Sequence, residues 1–242
     1  MLGTVKRAIV TKIVGYRSLR WLDVLAFPLI KLGYALRLLA WTGRADLRRH
    51  LLDVGEMPSH PKRIRLYEHL SDRYALESSA MWYMEFGVAK GESIRWWSER
   101  NGNPASRFVG HDSFEGLPEA WAMMPKGGFS TSGRLPASND SRISFVKGWF
   151  KDTVGRGIVE RPGDGHRLVA NLDADLYGST AVCLHALYPS LRDGDILIFD
   201  EFAYPMHEYR CFEDFREAFG VGLYLIAAVN CGDVVAFEVS MP

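Results

Sequence analysis

Four carboxylates fall in two short clusters, Asp173 and Asp175 in N-L-D-A-D-L-Y, and Asp200 with Glu201 in I-L-I-F-D-E-F. Each cluster follows an apolar run of the kind that forms a buried strand. If those strands are neighbours, the like charges converge, and some must take up protons unless a cation is present. A hard divalent ion with oxygen ligands, its shell completed by water or substrate hydroxyls, would resolve the conflict. Helix N-caps or solvated loop charges are the plainer alternative, and Asp175 does precede L-Y-G-S-T at the start of an expected helix.

A second group lies upstream in E-F-G-V-A-K-G-E-S at 85–93. Gly87 and Gly91 allow a sharp strand-to-helix turn and a close backbone approach to a ligand, with Val88 and Ser93 inside the same turn. The G-x-G-x-x-G spacing that seats a dinucleotide pyrophosphate is missing. Glu85 would repel phosphate yet accept a hydrogen bond from an ammonium group, which favours a cofactor with an amino-acid tail. Asp112, 25 residues past Gly87, stands where a carboxylate accepts hydrogen bonds from ribose hydroxyls. Ser113 and Phe114 are its neighbours, Phe114 as an adenine wall. His111 is open between a base, a substrate contact and a satisfied structural histidine.

These residues need a scaffold that brings strand ends together. After residue 79 the sequence alternates short apolar runs with turn chemistry, the pattern of strand-helix units in a parallel sheet. Strands are expected at 81–86, 107–110, 143–146, 167–172 and 195–199, with a helix at 92–100 and a closing hairpin over 223–229 and 234–239. In an open sheet of this kind ligands bind at the carboxyl ends of the strands, where all the residues named above fall. Residues 113–140, rich in Gly, Pro, Ser and Met, read as a lid loop, with Trp121, Met123, Met124 and Phe129 closing over the reactants.

The expected organisation is a helical extension over 1–78 and a catalytic domain over 79–242. Residues 2–52 read as amphipathic helix broken near Pro28, followed by a helix at 61–77. The first fifty residues hold ten Lys or Arg against two Asp or Glu, and the remainder nineteen against twenty-seven, so a neutral chain divides into a basic arm and an acidic body. The bland reading of the arm is packing on the core or on a dimer partner, and a homodimer is expected. A basic face touching anionic lipid or a charged glycan is the alternative. The apolar stretch 21–41 is interrupted by Asp23, Lys31, Arg37 and Pro28, and no small-residue cleavage site follows, so neither a signal peptide nor a membrane span is expected. Three cysteines without paired spacing point to a reducing cytoplasm, at most at the membrane periphery. The acidic body argues against nucleic acid as partner.

The ordered series E-F-G-V-A-K-G-E-S, H-D-S-F-E-G-L-P at 111–118, F-V-K-G-W-F-K-D-T-V at 145–154, D-A-D-L-Y-G-S-T at 173–180 and L-Y-P-S-L-R-D-G-D-I-L-I-F-D-E-F at 187–202 resembles the macrocin O-methyltransferase family. The likeness covers residues 84–215. It implies an α/β, Rossmann-like class I methyltransferase fold, S-adenosylmethionine as methyl donor, Mg2+ dependence and a sugar or glycoside acceptor. Carried over position by position, Asp173, Asp200 and Glu201 are the metal ligands and Asp175 the general base. Asp112 holds the ribose, while Glu85 and the Gly87 loop hold the methionine end, with Asp173 beside the donor. The family usually carries two aspartates and an aromatic where this chain has Asp200, Glu201 and Phe202. A catechol or other phenolic acceptor would use the same metal logic, and a non-catalytic partner that binds the donor without turnover is the alternative from a different class.

Overall fold

The computed structural model describes residues 22–154 and 160–242. The amphipathic stretch expected before residue 22 lies outside them. In chain order the elements are α1 (Leu22–Arg44), α2 (Leu47–His50), α3 (Arg63–Tyr74), β1 (Met81–Phe86), α4 (Glu92–Arg100), β2 (Arg107–Asp112), β3 (Ile143–Lys147), α5 (Phe150–Thr153), β4 (Arg167–Leu172), α6 (Tyr177–Leu187), β5 (Ile196–Phe199), α7 (Glu208–Phe219), β6 (Gly222–Val229) and β7 (Val234–Ser240).

The strands form one sheet in the order β3-β2-β1-β4-β5-β7-β6. β1 to β5 pair in parallel, and the β6–β7 hairpin closes the far edge antiparallel to β5. The chain runs outward from β1 through β2 to β3, then returns to β4 on the other side of β1. The direction of winding therefore reverses between β1 and β4, and a crevice opens there beyond their carboxyl ends.

Every residue of β1 and β5 is buried, as befits central strands covered on both faces. Side-chain alternation along β1 divides the core. Trp82, Met84 and Phe86 join the layer that holds α6, α7 and Trp41 of α1. Met81 and Tyr83 join the other layer, with Leu66, Tyr67 and Leu70 of α3 and Ile94 and Trp97 of α4. The i, i+3, i+4 spacing of these helical residues gives each helix one apolar face against the sheet.

The expected strands and the closing hairpin are all present, with two adjustments. β2 extends to Asp112, so His111 and Asp112 are its last residues. The helix expected at 61–77 is shorter, running from Arg63 to Tyr74 with Ala75 in the left-handed conformation as its cap. Residues 113–140 contain no helix or strand, only an isolated bridge between Trp121 and Met124.

The break expected near Pro28 is absent: α1 runs through it. Proline removes one hydrogen bond to the carbonyl four residues earlier, and at an exposed site water satisfies that group. By length and composition Val24–Arg44 is also apolar enough to cross a membrane, and little of it is buried. Its attachment to the body is local: Trp41 packs edge-on against Phe202, with ring centroids 4.8 Å apart, and Tyr34 donates a hydrogen bond to Asp214.

Candidate functional site

A cavity of about 1090 Å³ opens at the β1–β4 reversal. Its wall includes Glu85, Gly87, Val88, Ser93, Asp112, Ser113, Asp173, Asp175, Asp200 and Glu201, so ten sequence-predicted residues from four strand ends meet in one space.

The glycine turn is dictated as much by the neighbouring strand as by any ligand. Gly87 has φ +96°, and a Cβ there would come within 1.8 Å of the Asp173 carbonyl oxygen. The Asp173 amide in turn donates to the Phe86 carbonyl at 2.9 Å. Removing the side chain at 87 is what lets β1 and β4 finish side by side. Asp112 organises the turn from below: one oxygen accepts the amides of Val88 and Ala89, both at 2.8 Å, and the other accepts the Phe114 amide at 2.7 Å. Glu85 is buried, with Asn171 donating to one oxygen at 3.4 Å and the other oxygen unpartnered. Burial, reinforced by Asp173, holds its acid well above the usual carboxylate range. A cationic ligand group would satisfy both the charge and the free oxygen.

Around the acidic quartet the structure adds a cation absent from the sequence reading. Arg63, at the start of α3, donates to Asp200 at 2.7 Å and to Asp173 at 3.4 Å. Its guanidinium is mostly buried, and although burial alone would lower its pKa, Asp200 and Asp173 raise it, so it stays charged. One cation against four carboxyl groups leaves the cluster over-acidic. Burial pushes both Asp173 and Asp200 upward, their neighbours' charges add to the rise, and Arg63 opposes it. Asp175 is pushed to about 7, by burial first and then by Asp173 and Asp112. Glu201 is pushed to about 9 by burial, then by Asp233 and the rest of the quartet.

Asp175 also holds a left-handed backbone, φ +57°, a conformation that non-glycine residues keep only where their surroundings enforce it. Its neighbour Leu176 packs against Leu117 and Trp121 of the 113–140 loop. Trp121 also lies 5.0 Å from the ring of Tyr204. The loop is thus pinned across the cavity mouth, with Phe129 on the wall, whereas Met123 points to solvent at 97% exposure. The expectation that Met123 covers the reactants fails, because the Trp121–Met124 bridge turns residue 123 outward.

Three further expectations change. His111 is buried beside Phe86, stacked at 5.2 Å, away from the cavity wall. Both its ring nitrogens lack partners among the described residues and burial lowers its pKa to about 4, so it is not the satisfied histidine of the structural reading, and its place off the wall decides against neither of the other two roles. Phe114 packs into the core against Phe145, at 6.2 Å, rather than forming an adenine wall. Gly91 is not on the wall; it caps α4 with φ +73°, where a side chain would strike Pro136.

The carboxylates fit a hard cation in donor chemistry: all are oxygen ligands, and Asp200 keeps one buried oxygen without a partner. Among the described residues, no three His, Cys, Asp or Glu side chains are arranged to hold an ion together, and the guanidinium of Arg63 stands between Asp173 and Asp200. Arg63 comes from a segment with no motif of its own, and nothing in the sequence marks it. Asn171 had a signal: it lies in β4 two residues before Asp173, which follows the strand directly. Glu208, which accepts the Glu201 amide at 2.9 Å, had none.

Comparison with known proteins follows the same outline. Residues 137–229 match the model of the macrocin-O-methyltransferase (TylF) family. The chain is 32% identical to the 8-demethyl-8-(2,3-dimethoxy-alpha-L-rhamnosyl)-tetracenomycin-C 4'-O-methyltransferase of Streptomyces olivaceus, over 52% of this chain and 57% of that protein. It is 35% identical to the mycinamicin III 3''-O-methyltransferase of Micromonospora griseorubida, over 39% of this chain and 35% of that protein. The matched stretches thus span little more than half, at most, of these curated relatives. Among solved structures, the calicheamicin methyltransferase CalS11 superposes with a TM-score of 0.55 at 23% identity, covering 75% of this chain and 80% of that one. The O-methyltransferase NovP gives 0.51 at 20% identity, covering 73% and 78%. At such identities the likeness speaks for the fold. Over residues 137–229, the stretch that carries Asp173, Asp175, Asp200 and Glu201, this chain resembles the macrocin O-methyltransferase family, on a fold it shares with CalS11 and NovP.

Proposed function

We propose that the chain is an S-adenosylmethionine-dependent O-methyltransferase, cytoplasmic and assisted by Mg2+, that methylates a hydroxyl of a sugar or glycoside. The observation that carries this reading is the meeting, in one cavity, of the Glu85–Gly87 turn and the acidic quartet. The first suits the methionyl ammonium of the donor and the second suits a hydroxylated acceptor. The names of the tetracenomycin and mycinamicin relatives support the acceptor class.

In the reaction the acceptor oxygen attacks the sulfonium methyl from behind. The new C–O bond forms as the C–S bond breaks, its electron pair passing to sulfur, and the hydroxyl proton leaves to a base. Asp175 is suited to take it: it lines the cavity, no hydrogen bond to its carboxyl group is made among the described residues, and its pKa near 7 lets it accept a proton at neutral pH and release it afterwards. Glu85 orients the donor's ammonium group, Asp112 its ribose, and the pinned 113–140 loop excludes water. As placed, Asp173, Asp200 and Glu201 are not arranged to hold an ion together; they would hold Mg2+ only with Arg63 drawn aside from between Asp173 and Asp200, and the ion would then make the acceptor hydroxyl more acidic. Arg63 holds Asp173 and Asp200 in place and balances part of their charge.

The test is transfer of labelled methyl from S-adenosylmethionine to a panel of mono- and oligosaccharide glycosides, read by mass spectrometry. The expected result is a methyl ether on a sugar, lost in EDTA and restored by Mg2+. Transfer only to catechols would overturn the acceptor class, and undiminished transfer in chelator would overturn the metal.

A further inference from the structure

The acidic quartet already has a cation of its own. Arg63 donates to Oδ2 of Asp200 at 2.7 Å and to Oδ2 of Asp173 at 3.4 Å, so one guanidinium bridges the residues that follow β4 and β5. Among the described residues no other Lys or Arg is bonded to the quartet. Of the remaining basic side chains on the cavity wall, Lys151 is paired with Asp152, while Lys90 and Lys126 are exposed. The Arg63 side chain is 14% exposed and that of Asp200 2%, so dissolved salt screens this pair little.

A divalent ion shared by Asp173 and Asp200 needs the oxygens that the guanidinium uses. Mg2+ sits about 2.1 Å from its ligands in a near-octahedral shell, whereas a guanidinium nitrogen already stands against one oxygen of each carboxylate. Two positive charges held among these buried groups would also repel, in surroundings where charges act on one another more strongly than in water. Exchanging one cation for the other requires motion of a side chain only. Leu66, Tyr67 and Leu70 fix α3 in the core, and just before Arg63 the Lys62 amine is paired with Asp53 at 3.5 Å and with Glu56 at 3.3 Å. The Nε of Arg63 has no partner among the described residues, so withdrawal of the side chain breaks only its two bonds to the aspartates.

We propose that Arg63 is the resident cation of the quartet, and that it and a divalent ion occupy the site in turn, each excluding the other. The inference rests on the Mg2+ requirement proposed above and says what regulates it. Whatever the guanidinium contributes to the stability of the ion-free chain is subtracted from the apparent affinity for the ion, because the ion binds only the form from which Arg63 has withdrawn. Arg63 thus lets four clustered carboxyl groups fold together without an ion, and weakens the binding of the ion that replaces it.

The probe is Mn2+, which takes the same oxygen ligands and whose free form is counted by electron paramagnetic resonance, titrated into the full chain without donor or acceptor. Arg63→Gln should bind Mn2+ about tenfold tighter than the parent or more. Arg63→Lys should fall between them, because an ammonium group is a point charge that does not bridge two carboxylates as a guanidinium does. Asp200→Asn added to Arg63→Gln should abolish the gain, which assigns it to this site. In chelator, Arg63→Gln should unfold at a lower temperature than the parent, and Mn2+ should raise its midpoint by more than it raises the parent's. Affinities in both Arg63 variants equal to or below that of the parent would overturn the proposal, while the binding itself would uphold the metal reading. Binding of Mn2+ by none of the proteins would overturn the metal reading and this inference with it. If Arg63→Gln does not fold even with Mn2+, Arg63→Lys decides: tighter binding than the parent supports the exclusion, and unchanged or weaker binding overturns it.

Discussion

Asp175 combines three properties that seldom coincide: a left-handed backbone, a cavity position and a pKa of about 7. Asparagine tolerates the same backbone but cannot take a proton. Asp175→Asn should therefore bind S-adenosylmethionine as the parent does while single-turnover methyl transfer drops by about a hundredfold or more. An unchanged rate would assign the base elsewhere. His111, buried off the cavity wall, makes a different case, a titratable group whose burial bears on stability. The folded chain keeps it neutral down to about pH 4, whereas in the unfolded chain it titrates at its ordinary value of 6.5. The unfolded state thus takes up a proton first, so the stability due to neutral His111 is complete above pH 6.5 and is lost as pH falls toward 4. Between pH 7 and pH 5 the loss is about 2 kcal/mol. His111→Phe, which keeps a ring against Phe86, should remove this part of the acid sensitivity in denaturant midpoints compared at the two pH values.

Elements decide what a residue's neighbours permit, and Gly87 illustrates it. Adding one methyl group there forces a Cβ against the Asp173 carbonyl in a backbone conformation that alanine avoids. Gly87→Ala should cost about 3 kcal/mol or more in unfolding free energy, or prevent folding. Gly178 lines the same cavity inside α6, but a Cβ added there would meet nothing within 4 Å, and its φ is ordinary. There alanine should leave stability unchanged or raise it by up to about 1 kcal/mol. Equal effects of the two substitutions, measured by thermal or denaturant unfolding, would refute the steric account. This scale is also where the sequence was most readable. β1, α4 and β4 were legible to the residue because largely apolar runs that stop at Gly87 and at Asp173 leave little freedom in where a buried strand ends, and Gly91 marks where the helix after β1 begins. Pro28 misled because a proline breaks a helix only when the freed carbonyl has no other partner, and exposure is a tertiary property. Arg63 stayed hidden for a related reason: its role comes from α3 packing across the sheet, which no local pattern encodes.

At the scale of the whole molecule, the two core layers set which groups solvent can reach. Cys183 and Cys211 lie buried in the layer under α6 and α7, whereas Cys231 is exposed in the turn between β6 and β7. A thiol reagent added to the native protein should therefore count one cysteine, and three after denaturation. Prompt reaction of all three in the native state would show that the α6–α7 layer opens readily. The division of charge was also legible in composition, as a basic arm and an acidic body, but the sequence could not tell which side of α1 the body covers, since that depends on Tyr34, Leu38 and Trp41 meeting their partners.

The contact between Gly87 and the Asp173 carbonyl joins the donor half of the cavity to its acidic half through backbone rather than side chains. Substitutions elsewhere on the wall can alter one half at a time, but neither strand end can shift without carrying the other. Under the proposed function, efforts to retarget the chain to new acceptors would have freedom in the 113–140 loop and almost none at this splice, where the two halves of the cavity are inherited together.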